Sequence, residues 1–135
     1  MRLSQSAMTK ISELLIYNGR KLSFQEEPLE EYLQHHEIED AFLSYSSENE
    51  RGYIGIWEIV NDRLKLVELG GFDQNMKMVG IEDLFQDPEN VFAVWYSGEI
   101  NIFIDHSFDP KKRDVKKRRL IFEAGVLVDY IDLER

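Results

Sequence analysis

Tyr53-Ile54-Gly55-Ile56-Trp57-Glu58-Ile59-Val60, followed by Asn61-Asp62 and then by Leu64, Leu66 and Val67 up to Gly70-Gly71, is the stretch that decides the fold. Branched and aromatic residues pack well on a pleated surface, so Tyr53 to Val60 reads as a strand. Asn61-Asp62 tolerates the backbone angles of a tight reversal, and the apolar residues that follow return as a second strand. One face of the outgoing strand carries Tyr53, Gly55, Trp57 and Ile59, the other Ile54, Ile56, Glu58 and Val60. Both faces are largely apolar, which predicts a strand in the middle of its sheet. Gly55 inside it predicts a bulge, or a large neighbouring ring over the gap.

Toward the N-terminus, the run Leu14-Leu15-Ile16-Tyr17 precedes Asn18-Gly19, and Leu22 and Phe24 then alternate with Ser23 and Gln25. Asn-Gly between such runs predicts a hairpin over 13–25. Pro28 suits a first helical position, and Leu29, Tyr32 and Leu33 form one stripe, so a helix is expected over 28–36. Its Glu26, Glu27, Glu30 and Glu31 lie near the end where the dipole favours them, and His35 and His36 near the other. Residues 46–51 are polar and turn-like.

Toward the C-terminus, 72–79 reads as a loop. Ile81, Leu84 and Phe85 form a second short helical stripe closed by Pro88. Val91 to Tyr96 reads as a strand, Ser97-Gly98 as a turn and Ile100 to Ile104 as a strand. A basic loop is expected over 110–119, and Leu120–Phe122 with Val126–Leu133 as a last hairpin around Ala124-Gly125. Strict strand–helix alternation is missing, so the expected fold class is α+β. It is a mainly antiparallel hairpin or meander sheet with two short helices packed on it or over its end.

A chain of 135 residues fits one domain, placed at 11–135 after a flexible N-terminus of 1–10. The pattern begins only after Met8, which would also serve as a start. With 43% hydrophobic residues, the chain can bury a real core. It contains no cysteine, which removes disulfides, thiolate metal sites and thiol nucleophiles. No signal-peptide core or membrane-length apolar run occurs, and the reading is a cytoplasmic protein with no membrane partner. A net charge of −10 argues against nucleic acid and favours basic protein partners.

Five segments carry a resemblance: Leu15-Ile16-Tyr17-Asn18-Gly19, Pro28-Leu29-Glu30-Glu31-Tyr32, Arg51 to Ile59 with Leu64-Lys65-Leu66, Ala93-Val94-Trp95-Tyr96-Ser97-Gly98 and Phe122-Glu123-Ala124-Gly125. Together they resemble a group of small uncharacterised bacterial proteins across most of the chain. The resemblance implies a bacterial, single-domain protein and brings no activity with it.

No combination of residues forms a catalytic motif. Asp105-His106-Ser107 holds the residue types of a hydrolase triad, but neighbours on an extended chain point to opposite sides and cannot relay a proton among themselves. His35 and His36 are adjacent instead of spaced for a metal, and no catalytic, metal or cofactor site is assigned. Glu58 and Glu123 lie inside apolar strand patterns. A buried carboxylate there would mark a functional acid, an outward-facing one a solvated position. Trp57, Trp95 and Tyr96 line either a pocket or the core.

The segment 111–119 stands apart in charge. It holds seven of the sixteen basic residues, leaving 9 basic against 25 acidic residues elsewhere. Lys111, Lys112, Arg113, Lys116, Lys117 and Arg118 are candidate phosphate ligands, with Trp57, Trp95 and Glu58 as candidate pocket residues. The segment has no aromatic for base stacking, and the rest of the chain repels polyanions. A solvated segment that pairs with the protein's own acids is the competing reading. The overall expectation is a non-enzymatic bacterial interaction protein, in its most concrete form an immunity- or inhibitor-type protein that binds a partner through its acidic surface. A small-molecule or phosphate-binding module is the alternative, and assembly of identical copies is compatible with both.

Overall fold

The structure is a computed structural model that describes residues 12–38, 41–43, 52–105 and 115–133. The expected flexible segment 1–10, the polar turn 46–51, His106-Ser107 and Lys111, Lys112 and Arg113 lie outside the described residues.

Glu13–Tyr17 (β1) and Arg20–Phe24 (β2) form the first hairpin, and Pro28–His35 is helix α1. Tyr53–Val60 (β3) and Arg63–Phe72 (β4) form the second hairpin, with short Met78–Val79 (β5) and helix α2 at Ile81–Leu84 behind it. Val91–Phe92 (β6), Gly98–Asp105 (β7), Val115–Glu123 (β8) and Val126–Leu133 (β9) complete the chain. The tight turns have the chemistry their residues suggest. Successive left-handed positions occur at Asn18 and Gly19 (φ 52 and 80), Asn61 and Asp62 (52 and 64), and Ala124 and Gly125 (49 and 79). At Gly125 a Cβ would stand 2.4 Å from the Ala93 carbonyl oxygen, so no other residue fits without moving backbone.

All the described strands belong to one mixed sheet, in the order β2-β1-β3-β4-β9-β8-β7, with β5 and β6 also paired to β4. As expected, β3 is internal. The expected meander is corrected by one parallel pair: Leu14, Leu15 and Ile16 of β1 lie beside Ile56, Trp57 and Glu58 of β3. The cause is α1 and the connection after it. Strand β2 has already brought the chain back to the end where β1 began, and α1 with its connection delivers it to that same end, so β3 enters beside β1 in the same direction.

Two further local readings are corrected. Within Val91–Tyr96 only Val91–Phe92 is strand, and Val94-Trp95 is a turn. The backbone here serves two hairpins: Ala93 N–H donates to Leu64 O (2.8 Å) and Tyr96 O accepts from Gly125 N–H (2.7 Å). From Val115 onward the expected basic loop is strand β8, laddered on one side to β7 and on the other to β9. Its alternation places Leu120 and Phe122 in the core and leaves the charged residues around them at the strand's start.

The sheet rolls around one core. Leu15, Trp57, Leu64, Ile100, Ile102 and Leu120 have no exposed surface, although they come from strands at both ends of the sheet order. Leu29 and Leu33 of α1 close the same core. The first and last strands come together at a seam bridged by side chains: the Asn101 amide N–H and Nδ2 donate to the Glu26 carboxylate at 3.2 and 2.7 Å. Among the described residues no helix is long and apolar enough to cross a membrane.

Candidate functional site

A group of carboxylates lies where α1 meets the seam. Pro28 starts the helix and places Glu30 and Glu31 in its first turn, with Glu26 and Glu27 just before it. Across the seam, β7 contributes Glu99 and Asn101. Glu26 accepts both Asn101 bonds, and Asn101 Nδ2 also donates to Glu99 Oε1 (3.1 Å). Tyr96 lies beneath this face, its hydroxyl donating to the Glu99 carbonyl oxygen at 2.7 Å. Burial holds the Tyr96 hydroxyl well above the usual phenol range, and the charges of Glu26, Glu31 and Glu99 push it further the same way. Glu26 from the helix lead-in and Glu99 from β7 thus meet at Asn101. Glu30 is tied down instead, accepting from the Tyr53 hydroxyl at 2.7 Å.

The basic residues of β8 border this face and are largely spent within the fold. Arg118 makes a two-pronged contact with Asp132 of β9 (2.5 and 3.0 Å), donates to the Tyr17 hydroxyl (2.9 Å) and stacks on the Tyr130 ring at 4.3 Å. The bond to Asp132 holds its guanidinium firmly protonated. Arg119 lies 3.5 Å from Glu99 and donates to Asn101 Oδ1 at 3.3 Å. Lys117 lines an open cleft of about 250 Å³ at the seam, with Ser23, Gln25, Glu26, Asn101 and Phe103. The side chain of Lys116 lies outside what the structure describes.

The other candidates are not brought together. Trp57 has no exposed surface, and its indole N–H donates to Glu13 Oε1 at 2.8 Å. Glu58 follows it on the opposite face of β3, half-buried beside Ile16 and Lys65. Trp95 sits on the turn after β6, half-buried, and donates to the Pro28 carbonyl oxygen at 2.7 Å. Its ring belongs to a cluster with Tyr32 and Phe85, centroids 4.8 and 6.0 Å away, that fastens α1 to α2 and to this turn. Glu123 is exposed beside the last turn. Among the described residues no group of three His, Asp or Glu side chains could hold a metal ion.

The buried carboxylate is Glu13, which the sequence reading passed over. It has no exposed surface and accepts from the Gly55 amide and the Trp57 indole, both at 2.8 Å. Its one sequence signal was Gly55. A Cβ there would stand 2.7 Å from Glu13 Oε1 and 3.0 Å from the Trp57 nitrogen. Comparison with known protein families, curated proteins and solved structures finds no match to this chain.

Proposed function

We propose that this chain is a non-enzymatic bacterial interaction protein, acting in the cytoplasm, that binds a basic partner protein through its acidic surface in the manner of an immunity or inhibitor protein. The observation that carries this reading is the meeting of Glu26 and Glu99 at Asn101 across the seam, beside the acidic first turn of α1. A face built this way concentrates negative potential on one side of a molecule that already carries −10. Such a field speeds encounter with a cationic partner and repels acidic competitors. The nearby cations offset it only in part: Arg118 is committed to Asp132, and Arg119 pairs with Glu99 alone.

The test is affinity purification from the native host with the wild type and with a Glu27→Lys/Glu31→Lys variant. The expected result is a basic protein that the wild type retains at about 150 mM salt and releases at about 1 M. The variant should fail to retain it. Equal retention by the variant, or a retained partner without excess positive charge, would overturn the reading.

A further inference from the structure

At three places in the rolled sheet, strand edges carry no ladder among the described residues. The outer edges of β2 and β7 face each other and are bridged by Glu26 and Asn101. The edge of β4 between Leu66 and Gly71 lies between the β6 and β5 pairings, with α2 packed against it. The third edge belongs to β9. It meets β4 only where Val126 pairs with Arg63, while its other side stays laddered to β8 as far as Leu133. From Val128 to Leu133 this edge has no neighbouring strand among the described residues. Here Val128, Tyr130 and Ile131 are 50%, 52% and 41% exposed. An open edge bearing such side chains is a template for another strand.

We propose that this edge is a self-association surface, on which a second copy of the chain lays its own β9 antiparallel about a two-fold axis at Tyr130. The occupant is argued from charge and register. That axis sets Tyr130 against Tyr130 and Asp129 against Ile131, with Val128, the extra residue of a bulge in β9, at the end of the regular stretch, so no like charges face directly across the new ladder. Asp132 is already neutralised by Arg118, and Lys117 and Arg119 lie on the adjoining strand. The edge is therefore close to locally neutral on a molecule of net charge −10, where a strongly basic partner strand would find little to attract it. An isologous pair of identical strands closes on itself and leaves no further open edge at β9.

The pair is weak by construction. The Asp129 carboxylate accepts the Tyr130 amide N–H at 2.8 Å and competes with a ladder bond. So short a ladder buries well under ~1,000 Å², and the two acidic bodies repel, which places the dissociation constant between roughly 10 μM and 1 mM. Salt then acts with a distinctive sign. Screening removes the repulsion between the bodies and leaves the ladder and apolar contacts, so added salt tightens the dimer.

Sedimentation velocity on the full chain from about 5 μM to about 1 mM tests this. The expected result is a monomer–dimer equilibrium that tightens several-fold between about 0.05 and 0.5 M NaCl. Val128→Glu and Ile131→Glu, at exposed positions, the second directly opposite Asp129 of the other copy, should each weaken it about tenfold while leaving the circular dichroism spectrum unchanged. Hydrogen exchange on the wild type gives a reading that needs no variant: the amides of Val128 to Leu133 should gain protection as concentration rises. A monomer throughout the range would overturn the proposal. So would a dimer loosened by salt, protection gained elsewhere but not on β9, or a dimer indifferent to both substitutions.

Discussion

At Glu13 a carboxylate with no exposed surface is tolerated because two donors stand fixed before it, the Gly55 amide and the Trp57 indole. Glu13→Leu leaves both buried donors without that acceptor and should cost at least ~2 kcal/mol in urea unfolding, while Glu13→Gln, which keeps one acceptor oxygen, should cost less. The sequence could not single this residue out, since its indole partner lies 44 residues away. Only the glycine inside β3 hinted at it; the bulge expected at Gly55 is not there, since Gly55 pairs regularly with Leu69 and the nearby register shift leaves the extra residue, Val67, on β4. Both tryptophans looked alike in sequence, each inside a largely apolar strand pattern, yet only Trp57 is fully buried. Trp57→Ala should cost about 3–5 kcal/mol and Trp95→Ala clearly less. Tyr96 supplies a pH signature. Its hydroxyl stays protonated in the fold above the pH at which an unfolded tyrosine ionises, about 10. The unfolded chain therefore binds fewer protons there, and stability present below about pH 10 is lost as pH rises beyond it. Tyr96→Phe should flatten that alkaline slope in unfolding curves. An unchanged slope would show that the hydroxyl titrates as freely as in the unfolded chain.

Elements were legible wherever turn chemistry is local. Asn18-Gly19, Asn61-Asp62 and Ala124-Gly125 each mark a hairpin that is present, and Pro28 marks the start of α1. Misreadings fell where distant partners decide. Ala93 and Tyr96 give their backbone bonds to two other hairpins, which no pattern within 91–96 reveals. The run from Lys116 to Arg119 hides strand alternation because every side chain is charged, and the alternation appears only once Leu120 and Phe122 are counted with it. Arg118 stitches β8 to β9 and to the end of β1, and Arg118→Met removes the Asp132 and Tyr17 bonds together. Its mostly sheltered side chain makes this pair stronger than an open surface contact, and the substitution should lower stability by about 1–2 kcal/mol in urea. A change below about 0.3 kcal/mol would show the contact to be a bystander.

At the scale of the whole molecule, the α+β class and the placement of β3 inside the sheet could be read from patterning, whereas the parallel β1–β3 pair and the rolling of the sheet could not. Both depend on where the connection through α1 delivers the chain, and hydrophobic period carries no such information. The acidic residues were visible as composition but not as a place, because Glu26 and Glu99 meet at Asn101 only when the sheet closes. The seam has a further consequence, in time instead of space. Glu26 and Asn101 are 75 residues apart, so joining them requires most of the chain to be in position, whereas each hairpin closes within a few residues. No ladder crosses the join at these bonds, so they can part without breaking a strand pair. Such a contact belongs to the late side of the folding barrier. Asn101→Ala should leave the folding arm of a chevron nearly unmoved and steepen the rate of escape from the native state, making the seam the place where folding finishes and unfolding begins.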